Sequence, residues 1–148
     1  MRKTRYPFFL AIIALFTVLT GCGRNKVAPV KERIAKVWTA NIVTENNQTV
    51  YTRGQATNVR NYTTFRLDLS TPPNVTYVDY DNTPFTGQYS VPSDDRLVLS
   101  NLNPQPTGTN GTIEFQISNL TDNTVTLTRT TASQKTGGTT NAYQLTNP

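Results

Sequence analysis

Thr112-Ile113-Glu114-Phe115-Gln116-Ile117 alternates polar and apolar residues without a break. Such a period of two belongs to a strand with one wet and one dry face, because successive strand side chains point to opposite sides. Thr124-Val125-Thr126-Leu127-Thr128 repeats the pattern, and Thr121-Asp122-Asn123 supplies turn residues between the two runs. Half-buried strands joined by a short turn are antiparallel, whereas parallel strands covered on both faces read as continuous apolar runs.

Working outward, Phe65, Leu67 and Leu69 alternate with Thr64, Arg66 and Asp68, and Leu97 and Leu99 with Arg96 and Val98. Strand-like runs bounded by turn residues fall at Val37–Val43, Thr49–Arg53, Tyr62–Leu69, Val75–Tyr80 and Thr86–Val91. They continue at Arg96–Leu102, Thr112–Leu120, Thr124–Thr130 and Ala142–Leu145. The expected fold is all-β: an antiparallel up-and-down meander of about eight strands closing a small barrel, with an Ig-like β-sandwich as the alternative.

The first 22 residues are of another kind. Arg2, Lys3 and Arg5 precede an apolar run from Phe8 to Leu19, and Gly21-Cys22 follows it. A basic start, a short apolar core and small residues before a cleavage point make a secretory signal peptide, here a helix ahead of the barrel. The run is about a dozen residues, short of the roughly 20 needed to span a bilayer's hydrocarbon core. Leu19-Thr20-Gly21-Cys22 resembles the bacterial lipobox, where the chain is cut before a cysteine that is then acylated on its sulfur and new amino terminus. The resemblance implies lipidation of Cys22 and a partnership with the membrane through that anchor, stable once two or more chains are attached. Gly23 stands where Asp would favour inner-membrane retention in enteric bacteria, and Arg24 and Lys26 replace the acidic run of surface-exported lipoproteins. The implied address is the outer membrane, facing the periplasm.

The organisation expected is a lipoprotein signal peptide over 1–21, a lipidated, flexible basic tether over 22–36 and a barrel domain over 37–148. Pro29 to Lys36 has helical spacing at Val30, Ile34 and Val37, enough for one turn or two. With the signal peptide removed, 11 basic and 9 acidic residues leave a net charge of +2. Residues 22–36 carry five basic groups against Glu32, while 37–148 carry six basic and eight acidic groups. A basic stripe on the folded domain is missing, so nucleic acid is not an expected partner.

Histidine is absent and the single cysteine lies in the lipobox. That removes His/Cys metal sites, Ser-His-Asp and Cys-His nucleophiles, and disulfides. No catalytic residue, metal site or cofactor is expected, and the chain reads as a non-enzymatic protein. Asp79, Asp81, Asp94 and Asp95 put four carboxylates at two turns that a calcium ion would accept if they met. Asp and Asn are equally common in turns because they bond their own backbone. Five Asn-x-Thr triplets, at Asn47, Asn61, Asn74, Asn110 and Asn119, follow from the Asn- and Thr-rich composition.

Trp38 in the first strand, Gly87-Gln88-Tyr89-Ser90-Val91 with Asp95-Arg96-Leu97-Val98-Leu99, and Phe115-Gln116-Ile117-Ser118-Asn119-Leu120-Thr121 with Leu127 look like the lipocalin-like domain of secreted bacterial lipoproteins. That resemblance implies a meander barrel over roughly residues 36–148, although Lys36 stands where lipocalins carry the glycine of Gly-x-Trp. It also implies that Trp38 closes the barrel floor, with a late-strand arginine such as Arg129 stacked on the indole. Trp38, Phe65, Leu67, Tyr77, Tyr89, Leu97, Leu99, Phe115, Ile117 and Leu127 are the candidates to line the barrel. Two functions fit: a barrel binding a small or lipidic ligand, or a structural or inhibitory subunit that contacts an envelope protein partner. An apolar cavity open at one end would favour the first, and a packed interior with an exposed aromatic patch the second.

Overall fold

Asn46 and Asn47 sit at φ of 49° and 65°, in the left-handed region, and form a two-residue turn. Positive φ at both central positions suits the twist of an antiparallel hairpin, and asparagine tolerates it better than most side chains. The turn joins β1 (Val37–Glu45) to β2 (Gln48–Thr52). Asn82, Asn101, Asn110 and Asn119 also have positive φ, so much of the chain's asparagine serves its turns. The computed structural model describes residues 26–148. The signal-peptide segment, its helix and Cys22 lie outside the described residues.

The remaining strands are β3 (Arg66–Thr71), β4 (Asn74–Val78), β5 (Pro84–Ser93), β6 (Arg96–Asn103), β7 (Ile113–Ser118), β8 (Thr124–Arg129) and β9 (Asn141–Thr146). From β3 each strand pairs antiparallel with the next, and β9 returns to β1 along Thr39–Glu45. The sheet therefore closes as an eight-stranded antiparallel barrel of β1 and β3–β9. A closed sheet has no second layer, which sets aside the Ig-like sandwich. β3 pairs only with Val37–Thr39 of β1, and β2 takes over the same edge from Ile42 to Glu45. Completed this way, β1 is paired on that side over most of its length, and β2 is the strand left at the edge.

All nine expected strands form, most with ends shifted by a residue or two. The exception is Tyr62–Leu69, where the strand starts only at Arg66. Phe65 N–H donates to the Tyr62 carbonyl at 3.1 Å, so Tyr62–Phe65 is a turn that still sends both rings into the core. Part of the segment expected to be a flexible tether is instead fixed to the barrel. Val30–Arg33 makes one helical turn, α1, and Ile34 after it is fully buried. Trp38 Nε1 donates to the Ile34 carbonyl at 2.8 Å, Leu69 N–H to that of Lys36 at 2.9 Å, and Arg33 Nη2 to that of Leu120 at 2.6 Å. Among the described residues no helix is long and apolar enough to cross a membrane.

The two ends of the barrel differ. At the end carrying α1, Trp38, Leu69, Val75, Tyr89, Leu97, Val125 and Leu145 pack beneath Ile34. At the other end, Tyr62, Phe65, Tyr77, Phe85, Phe115 and Tyr143 form one aromatic cluster; Tyr62, for instance, lies 6.2 Å from Phe65 and Phe65 lies 5.0 Å from Tyr143. Gly87 is required by close approach of β6: a Cβ there would stand 2.5 Å from the Ser100 carbonyl oxygen and 3.1 Å from the Asn101 carbonyl carbon. Backbone atoms cannot rotate away, so Gly87→Ala is expected to cost about 1–3 kcal/mol. A urea midpoint equal to wild type would mean that β6 shifts freely at this point.

Candidate functional site

The ten lining candidates all sit inside the barrel, none more than 7% exposed. They fill it. Five concavities of about 560, 480, 330, 200 and 100 Å³ open on its outer faces and rims. None of the five reaches Trp38, Phe65, Leu67, Tyr77, Leu97, Leu99, Ile117 or Leu127. An eight-stranded barrel is just wide enough for side chains to occupy its interior, and here branched and aromatic residues do so. The 480 Å³ groove is the apolar one; Ala35, Pro72, Pro73, Tyr89 and Val91 line it beside α1, with Lys31 and Glu32 at its edge.

Charge collects at the other end, above the aromatic cluster. Glu45 closes β1 in the inward phase and is only 8% exposed. It accepts hydrogen bonds from Arg60 Nε at 2.7 Å, Arg60 Nη2 at 3.3 Å and the Tyr62 hydroxyl at 3.0 Å. The Arg60 guanidinium lies 4.7 Å over the Tyr80 ring, a cation–π contact. Lys135, from the 3-10 turn Gln134–Thr136 between β8 and β9, reaches Asp81 Oδ1 at 2.7 Å and Asp79 Oδ2 at 3.5 Å. Burial opposes the charge on Asp81, but hydrogen bonds from Lys135 and Thr83 outweigh it and hold the carboxyl below its ordinary range. Asn141, fully buried, accepts from Thr139 at 2.7 Å and donates to the Tyr143 hydroxyl at 3.2 Å.

Asp79, Asp81 and Asp95 bond within their own turns, and one expectation implied by the resemblance, the stacking of Arg129 on Trp38, is corrected. Asp79 and Asp81 do not meet Asp94 and Asp95, because the ten residues of β5 separate the two turns and place them at opposite ends of the barrel. Lys135 stands between the first pair where a cation would have to sit. Among the described residues no cluster of three or more Asp, Glu, His or Cys is placed to hold a metal ion. Nor does Arg129 stack on Trp38. Trp38 pairs with Leu67 at the α1 end, while Arg129 lies opposite Phe115, four residues beyond Val125 at the charged end of β8. The cation–π contacts among the described residues come from Arg60 and Lys135.

Sequence reading did not single out Glu45, Arg60, Lys135 or Asn141. For Glu45 the signal was present: it falls in phase with Val43 on the buried side of β1. Arg129 was similarly marked by Val125 and Leu127. Arg60 and Lys135 come from connections without a period, where nothing local shows which way a side chain turns.

The chain is similar to a solved lipocalin-like protein from Bacteroides uniformis. The two are 14% identical with a TM-score of 0.47, over 78% of this chain and 99% of that one. No family model matches the sequence, and no curated protein does. The barrel itself is established by the pairing of β9 with β1.

Proposed function

We propose that this is an envelope lipoprotein, held at the outer membrane by acylated Cys22 and facing the periplasm, whose barrel is a non-enzymatic module that binds a small ligand. In this reading residues 1–21 are the removed signal peptide and the chain from Cys22 to Pro29 is the tether. The observation that carries it is the buried polar chemistry of Glu45, Asp79, Arg129 and Asn141 at one end of an otherwise apolar interior. Burying such groups is costly unless they are matched; Glu45, Asp79 and Asn141 are matched within the protein, whereas Arg129 Nε has no partner, and that unmet donor favours recognition at this end. α1 packs at the opposite end, so the polar end is the one away from the described N-terminal segment. The barrel is filled by side chains, so in this reading a small ligand sits at its polar end and not in a central cavity.

A second reading rests on the apolar groove beside α1, which suits an envelope protein partner docking next to the membrane. Native mass spectrometry of the mature protein, taken gently from its own envelope in nonionic detergent, separates the two. The ligand reading expects a co-purifying small mass that disappears on denaturation. A clean protein mass would sink it for any tight ligand and leave the partner reading. The anchor has its own test: Cys22→Ser is expected to abolish acylation and release any exported protein from the membrane fraction. An unchanged intact mass and membrane fraction would refute lipidation at this residue.

A further inference from the structure

β1 carries a bulge at Asn41. Ala40 and Ile42 pair with Leu145 and Gln144, adjacent residues of β9, so Asn41 has no residue opposite it on that strand. The bulge also switches the phase of the strand: Trp38 and Ala40 are buried before it, and Val43 and Glu45 after it. Asn41 itself lines the outer wall of the barrel. Bulges re-aim side chains at defined places in a ladder. This one is held by Arg53, whose Nε and Nη2 donate to the Ala40 carbonyl at 2.9 and 2.6 Å and whose backbone N–H donates to that of Asn41 at 2.8 Å.

Beside the bulge lies the 330 Å³ concavity, bounded by Asn41, by Gln144 and Thr146 of β9, by Thr124 and Thr126 of β8 and by Asn119. Small ligands bind in clefts of about 300–1,000 Å³, so it has room for one of the smallest. Its lining holds no charged side chain and no aromatic one. Its amides are largely unspent. Among the described residues the side chains of Asn41 and Gln144 bond nothing, and that of Asn119 reaches only Thr126 Oγ1, at 3.5 Å. Thr146 Oγ1 is shielded from solvent and has no partner. Exposed amides can bond water, but a shielded hydroxyl costs the fold free energy until something brings it a partner.

We infer that this groove on the outer wall binds a neutral carbohydrate, whose hydroxyls are held by the amides of Asn41, Asn119 and Gln144. The site is separate from the polar end of the barrel and does not rest on the ligand reading there. An amide offers two donors and an acceptor, and a sugar hydroxyl both gives and takes a hydrogen bond, so the two match in kind. Without a charged side chain in the lining, nothing offsets the desolvation of an ionic ligand. β9 is paired with β8 on one side and β1 on the other, so this wall offers no strand edge to an extended peptide. With no aromatic face to stack on, the sugar is held by hydrogen bonds, and binding is weak.

The test uses isotope-labelled protein purified from its own envelope in a detergent without sugar headgroups, with side-chain amide signals followed by NMR. Glucose, galactose, N-acetylglucosamine and maltose are titrated, with glycerol as a plain polyol and N-acetylalanine amide as a peptide mimic. At least one sugar is expected to shift the Asn41 and Gln144 signals saturably, at lower concentration than glycerol or the mimic. Gln88 and Asn101, in the 560 Å³ concavity across β4–β6, are exposed amides on another face and should not respond. Gln144 is an exposed strand position, so Gln144→Ala should fold normally while the half-saturating concentration rises roughly threefold to tenfold. Asn41→Ala should do the same, and Gln88→Ala should change nothing. If Asn41→Ala disturbs the bulge, Gln144→Ala decides. No saturable shift with any sugar, an equal response to glycerol, a preference for the mimic, an equal shift at Gln88, or an unchanged half-saturation in Gln144→Ala would each overturn the inference. A ligand at the polar end would leave the Asn41 and Gln144 signals in place, so the two readings fail separately.

Discussion

The barrel is expected to unfold cooperatively in alkali, with a midpoint about one to four units above pH 10. Tyr62, Tyr77 and Tyr143 are between 1% and 2% exposed. Burial, first of all, pushes each phenol above its ordinary value; nearby carboxylates add to it for all three, and neighbouring tyrosines add to it for Tyr62 and Tyr77. In the unfolded chain the same phenols lose their protons near pH 10. The folded state thus binds more protons than the unfolded one once the pH passes 10. Their contribution is fully present below pH 10 and is lost as the pH rises towards the folded values. Each group removes about 1.4 kcal/mol per pH unit, so three together remove about 4 kcal/mol per unit. A domain with roughly 5–15 kcal/mol of stability exhausts it within that window. Tyrosinate absorbance for these groups should appear together with loss of the far-ultraviolet dichroism. In Tyr77→Phe, which removes one of the three, the slope of stability against pH should fall by about a third. Ionisation of these phenols near pH 10 in a barrel that stays folded would show that water reaches them, against the packing seen here.

How much of this was legible in the sequence depends on whether the information is local. Alternation assigns a residue to a face, and from Leu67 to Leu127 it does so correctly, because each pattern lies within one strand. It says nothing about height along the barrel. Trp38 and Arg129 both point inward, but their heights are set by the registers of every pairing between the first strand and the eighth, two of which carry shifts. Expecting them to touch took the face for the height. The separation of Asp81 from Asp95 was, by contrast, available: in a meander, successive turns fall at alternate ends, and these turns are successive. The burial of Tyr62 was not, since it follows from a long connection folding over an end whose partners, Tyr51, Tyr80 and Tyr143, come from three other parts of the chain. Arg129 lies between these cases. Its inward phase is written in β8, but its lack of a partner appears only once Glu45, Asp79 and Asp81 are seen to be engaged elsewhere.

Trp38→Ala should be the most damaging single truncation at the opposite end, with an expected loss of about 3–5 kcal/mol. The indole is fully buried and packs under Ile34, itself fully buried. Truncation removes its apolar surface from the core and leaves a cavity that the closed sheet, hydrogen-bonded on every side, has little freedom to collapse. It also takes the N–H donor away from the Ile34 carbonyl. Trp38→Phe separates the two contributions: it keeps most of the ring, loses the donor and should cost nearer 1–2 kcal/mol. Stability is best followed by circular dichroism, since both variants lack the chain's single tryptophan. A loss below about 1.5 kcal/mol for the alanine variant would mean that neighbouring side chains refill the site. The two variants also bear on how the barrel is held towards its anchor. Leu69 N–H bonds to the Lys36 carbonyl, so its exchange with solvent reports whether the segment from Val30 to Lys36 stays docked. If the indole holds that segment, exchange at Leu69 should speed up in Trp38→Ala by more than the fall in global stability accounts for. If exchange merely follows global stability, the bonds from Arg33 to Leu120 and from Lys36 to Asp122 suffice to hold the segment, and Trp38 acts as a floor for the barrel alone.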